Sequence, residues 1–170
     1  MLPIALIILG IVSRLVPHVW NFTPVLAVAF FSGAVLPRRY ALGIPLAVLL
    51  ITDAVLGWHS TMPFTWLSVV LIVFLGGLFR ERRSAKGVAL GSLAAAVLFF
   101  AVSNFGAWLA LYPRTMAGFL ECYAMAVPFF RNTLAGTLAY GLVLFGVYEV
   151  FARTLGSTRF AKFLFWESRA

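Results

Sequence analysis

The stretch Ser103-Asn104-Phe105-Gly106-Ala107-Trp108, continued by Tyr112-Pro113-Arg114-Thr115, Glu121-Cys122-Tyr123 and Pro128-Phe129-Phe130-Arg131-Asn132, breaks an otherwise almost wholly apolar chain. Amides, aromatic rings and two arginines crowd there between long hydrophobic runs at 88–112 and 127–152. Crossing a hydrocarbon layer of roughly 30 Å takes about 20 helical residues, so both runs are long enough to do it. The polar patch joining them then reads as the mouth of a helical bundle.

Composition supports that reading of the solvent. With 63% hydrophobic and 11% charged residues, and a mean hydropathy of +1.02, 170 residues hold more apolar surface than one water-soluble core could hide. The fold class expected is an all-α integral membrane protein. Six spans are expected, at about 2–16, 24–36, 41–57, 63–79, 88–112 and 127–152, followed by an amphipathic cytoplasmic tail at 156–170. The second to fourth are short and must lean on protein neighbours. The first run lacks a basic leader and a small-residue cleavage site, and so reads as a span and not as a secretion signal. In the tail, Arg159, Lys162 and Arg169 alternate with Phe160, Phe163, Phe165 and Trp166, the pattern of a segment lying along a membrane surface.

The formal net charge of +8 does not point to nucleic acid, because the basic residues stand between apolar runs as topology signals do. Ten of them, Arg38, Arg39, Arg80, Arg82, Arg83, Lys86, Arg153, Arg159, Lys162 and Arg169, fall on one side; Arg14, Arg114 and Arg131 make three on the other. The positive-inside rule puts the side with ten, and both termini, in the cytoplasm of a multi-pass protein of the bacterial inner membrane. The mouth then faces outward. One cysteine allows no internal disulfide, and the spacing of His18, His59 and Cys122 matches no metal-ligand pattern. Neither a metal nor a cofactor is expected. His-Glu-x-x-His and Gly-x-Ser-x-Gly are absent from the sequence, and Asp53 is the only acid within a span away from its ends, so the chain does not read as an enzyme.

Several residues at the outer ends carry the candidate chemistry. Thr23-Pro24, Thr61-Met62-Pro63 and Val127-Pro128 read as three helix starts, with a threonine hydroxyl available to cap the first two. Their positive dipole ends would favour a guest's anionic or carbonyl groups. Asp53, inside the third span, costs about 2.5 to 3.5 kcal/mol there unless it is paired or hydrated. Arg131 or Arg14 is the expected partner, and the pair serves either a polar cavity floor or helix register. Trp20, Trp58 and Trp108 are the rings placed to stack on a planar guest. Asn21, His59, Asn104 and Asn132 complete the expected substrate-binding set with Asp53 and Arg131.

The segments Pro17-His18-Val19-Trp20-Asn21-Phe22-Thr23-Pro24-Val25, Thr52-Asp53 before Gly57, Ser103-Asn104-Phe105-Gly106, Tyr112-Pro113-Arg114-Thr115-Met116-Ala117-Gly118 and Pro128-Phe129-Phe130-Arg131-Asn132-Thr133-Leu134 resemble an uncharacterised bacterial membrane family. That family is itself similar to the S-components, the substrate-binding subunits, of energy-coupling factor (ECF) vitamin transporters. The resemblance runs from Arg14 to Glu149. It implies a six-helix bundle that captures a vitamin or related micronutrient under outer loops, working with a transmembrane coupling subunit and two ATPases. S-components carry an Ala-x-x-x-Ala pair on the first helix for docking, whereas here Ala5 is followed four residues on by Leu9. A different docking face, or a chain that works alone, follows from that departure. The competing reading is a membrane scaffold or assembly subunit with no small-molecule ligand, its Gly87, Gly91 and Ala95 serving helix packing.

Overall fold

The computed structural model describes residues 2–17 and 19–155, so the expected surface-lying tail at 156–170, like His18, lies outside the described residues. The described chain is all-helical, with no strand. Its elements are α1 (Leu2–Leu15), α2 (Val25–Val35), the single turn α3 (Arg38–Ala41), α4 (Gly43–Leu56), α5 (Met62–Leu78), α6 (Ala85–Leu111) and α7 (Met116–Leu155).

Helix α2 is the centre. Its sequence VLAVAFFSGAV has no polar stripe, so no side of it resists burial against protein neighbours. Ala27, Val28, Ala29, Phe30, Phe31 and Ala34 are accordingly buried, with α4, α5, α6 and α7 all packed against it. Phe30 and Phe31 meet Phe145 of α7 at ring separations of 5.5 and 5.0 Å. On its α5 side the two backbones touch, because a side chain at Gly33 would overlap the Val73 carbonyl and one at Gly76 the Phe30 carbonyl. At the far end of α2, Arg80 donates through Nη2 to the carbonyls of Gly33 (3.1 Å) and Leu36 (2.7 Å). Those are C-terminal carbonyls that the helix itself leaves without donors.

The threonine caps expected at the first two helix starts, and the third start itself, are corrected. Pro24 is itself the residue before α2 and no side chain caps that end; the following turn is closed by the Val28 amide donating to the Pro24 carbonyl at 2.7 Å. Thr61 precedes α5 but does not cap it, because its Oγ1 is engaged by His59 Nδ1 at 2.9 Å. The largest change is at Pro128, which lies inside α7. The helix starts twelve residues earlier, at Met116, where Thr115 Oγ1 accepts from the Gly118 amide at 3.2 Å. Proline removes a helical hydrogen bond at that point. Contacts with α6 hold the turn: Tyr123 donates its hydroxyl to the Ala101 carbonyl at 2.6 Å, and Phe130 meets Phe100 at 5.0 Å. Two proline-associated helix starts remain at the polar end.

Helix α4 stops at Gly57, whose φ of 101° a side chain would oppose. The stretches Arg38–Leu56, Ala85–Leu111 and Met116–Thr154 are long and apolar enough to cross a membrane; α1, α2 and α5 are shorter apolar helices. Apolar side chains also face outward in helical register, Ile4, Ile8 and Val12 on α1 and Leu67, Leu71, Phe74 and Leu78 on α5.

Candidate functional site

The only acid buried within α4, Asp53, is 2% exposed and is fully partnered. Arg14 Nη2 from α1 approaches its Oδ1 at 2.7 Å, and Trp66 Nε1 from α5 donates to its Oδ2 at 2.8 Å. Arg14 also donates through Nη1 to Thr52 Oγ1 at 2.8 Å, and that hydroxyl lies 2.7 Å from the Val48 carbonyl. Of the two arginines the sequence offered for Asp53, the tertiary fold uses Arg14. The reason is register: α1 and α4 run side by side with Gly10 against Val48, and one helical turn further on Arg14 arrives beside Thr52 and Asp53.

Arg14 of this pair borders a cavity of about 270 Å³ lined by residues of α1, α2, α4, α5, α6 and α7. Its polar lining is Arg14, Asn21, Thr23, Thr65, Thr133 and Thr137; Val25, Leu26, Leu49, Val69 and Phe99 supply apolar wall. Thr133 and Thr137 donate their hydroxyls to the Phe129 and Thr133 carbonyls, at 3.0 and 2.7 Å, which leaves their oxygens able to accept. A smaller hollow of about 100 Å³ shares Asn21, Phe99 and Thr133 with the cavity and adds Ser103, Asn104 and Phe130. A surface depression of about 380 Å³ shares Arg14 and Asn21 and adds Trp20. Asn21 therefore lines all three. It holds a φ of 60°, a left-handed conformation that asparagine adopts more readily than most side chains.

The remaining expected residues scatter. Trp20 is 75% exposed; its carbonyl accepts from Asn132 Nδ2 at 3.0 Å and its ring lies 6.2 Å from that of Phe129, so Asn132 fastens the α1–α2 loop to α7. Asn104 borders the smaller hollow, but its Nδ2 is given to the Phe100 carbonyl at 2.7 Å. Trp58 and His59 line a separate shallow depression with Met62 and Trp66. Trp108 packs between Phe105 and Phe119 and donates to the Pro113 carbonyl at 3.0 Å; it borders none of these hollows. Arg131 is exposed and borders none either. Asp53, Asn104, Arg131 and Asn132 are thus not gathered into one pocket. Sequence reasoning passed over Thr65, Thr133 and Thr137 as lining residues. The four-residue spacing of Thr133 and Thr137 in an apolar helix was the available signal, since it puts both on one face.

An all-helical bundle holding a cavity between its helices, walled by threonines and an ion-paired arginine, is the class that this geometry defines. The family model for DUF6580, a family of unknown function, matches residues 1–160, and the chain belongs to that family. No curated protein and no solved structure matches the chain. Among the described residues, no three His, Cys, Asp or Glu side chains come together as a metal site would require.

Proposed function

We propose that this chain is a membrane-embedded substrate-binding subunit for uptake of a vitamin-like micronutrient, with the central cavity as its binding site. The observation that carries the reading is the lining of that cavity. Asn21, Thr23 and Thr65 contribute polar side chains on an apolar wall, and ligand pockets combine apolar walls with a few such placed polar groups. A packed structural core would fill the same space with side chains. Membrane placement is supported by the three long apolar stretches and by the outward apolar faces of α1 and α5. In this reading six helices span the bacterial inner membrane, the loops bearing Arg38, Arg39, Arg82 and Arg83 are cytoplasmic, and the depression at Trp20 opens outward. Energy for uptake comes from a transmembrane coupling subunit with two ATPases, docked on a face other than an Ala-x-x-x-Ala stripe.

The test is mass spectrometry of small molecules extracted from protein purified in mild detergent, paired with a thermal-shift panel of vitamins and their precursors. Enrichment of one compound that also raises the melting temperature supports the proposal. Absence of both favours a scaffold, a reading supported by the exposed apolar residues Leu111, Met116 and Leu120 around the α6–α7 turn.

A further inference from the structure

We infer that the guest of the central cavity is compact, carries no positive charge, and presents a carbonyl or carboxylate oxygen to Arg14. The inference rests on the cavity being a ligand site and concerns what that site selects. Among the described residues, Arg14 is the only charged one in the lining, and no acidic side chain is part of it. Its counter-charge is not part of the lining, and both oxygens of Asp53 are engaged, one by Arg14 and the other by Trp66. A cation entering the cavity would therefore meet guanidinium N–H donors with no carboxylate on the wall to receive it.

Arg14 has capacity left for a guest. A guanidinium carries five N–H donors. The contacts to Thr52 Oγ1 and Asp53 Oδ1 use two of them, leaving three with no partner among the described residues. Those same contacts hold the group in a fixed plane, so a guest oxygen would meet donors already oriented. Complementary acceptors stand on α7, where the oxygens of Thr133 and Thr137 can take an N–H or O–H from the guest. Volume adds the last restriction. At about 270 Å³ the cavity lies at the lower edge of small-molecule sites, which run from roughly 300 to 1,000 Å³. A single ring or a compact bicycle is of that scale, and a corrinoid is far beyond it.

Benzoate, benzamide and benzylammonium share one ring and differ in charge, which makes them suitable probes. Each is titrated at millimolar concentration against the full-length protein in detergent, with melting temperature as the readout. Benzoate and benzamide are expected to raise it and to compete with each other, while benzylammonium leaves it unchanged. Thr65→Phe, which narrows the cavity, is expected to abolish both responses. Arg14→Gln combined with Asp53→Asn removes the cation without stranding a buried charge, and is expected to weaken benzoate by about ten-fold or more and benzamide less. Should that pair fail to fold, Arg14→Lys keeps the charge but not the planar donor set, and the same order of losses is expected. Benzylammonium binding as well as or better than benzoate, and lost in Thr65→Phe, would overturn the charge assignment while leaving the cavity a ligand site. No response to any of the three, with nothing copurified, would remove both.

Discussion

Arg14 on α1 and Asp53 on α4 form a 2.7 Å ion pair in which the carboxylate side chain is 2% exposed and the guanidinium 18%. The buried carboxylate is held by Arg14 and Trp66, and the half-buried guanidinium by Asp53 and Thr52, so either substitution alone leaves the other charge without its counter-ion. Arg14→Ala, which strands the 2% exposed carboxylate, is therefore expected to destabilise the protein by about 3 to 5 kcal/mol. The double change Arg14→Gln with Asp53→Asn is expected to cost clearly less. Denaturant unfolding in detergent measures both. A single substitution no worse than the double would show that the pair is not buried as described.

Trp66 contributes a donor as well as a ring. Trp66→Phe keeps most of the packing and removes the 2.8 Å hydrogen bond to Asp53 Oδ2. A hydrogen bond to a charged group is worth about 1.5 to 3 kcal/mol, and a loss of that size is expected in the same unfolding experiment. A change below about 0.5 kcal/mol, the usual range for an exposed position, would mean the carboxylate finds another donor.

Adjacent glycines on α5 have opposite expected outcomes. A side chain at Gly76 would overlap the Phe30 carbonyl, whereas nothing lies within 4 Å of where one would sit at Gly77. Gly76→Ala is expected to force α2 and α5 apart at a cost of about 1 to 3 kcal/mol or more. Gly77→Ala is expected to stabilise by roughly 0.5 to 1 kcal/mol through its helix propensity. Equal effects at the two positions, read from melting temperature, would contradict the close approach of these helices.

Arg80 and Arg82 stand two residues apart and differ in what they hold. Arg80 donates to the Gly33 and Leu36 carbonyls, so Arg80→Gln is expected to cost about 1.5 to 3 kcal/mol. Arg82 is exposed, and Arg82→Gln is expected to stay within about 0.5 kcal/mol of the parent. If the order were reversed, the end of α2 would not depend on that guanidinium.

Much of the helical layout could be read directly, because apolar runs of helical length report themselves. The expected 2–16, 24–36 and 63–79 lie within a residue or so of α1, α2 and α5. Pro128 misled because proline marks a helix start only when nothing else holds the turn. Tyr123 and Phe130 on α6's partner face are what hold it, and contacts between distant segments leave no local trace. The site was legible in part. Asp53 announced itself as a buried acid needing a cation, yet the choice between Arg14 and Arg131 depended on the relative register of α1 and α4.

The amino-acid order by itself determined that this chain is helical, that its short second run must lean on protein neighbours and that Asp53 must be paired or hydrated, since hydropathy, run length and the cost of a bare buried charge are properties of the residues alone. Only the tertiary structure decided that Arg14 is the partner, that Arg131 borders none of the hollows, and that threonines from separate segments share one cavity with Asn21. Which side chains share a space depends on how far each helix slides and turns against its neighbours. That is settled by packing, such as Gly10 against Val48 and α2 against α5, and not by any one segment.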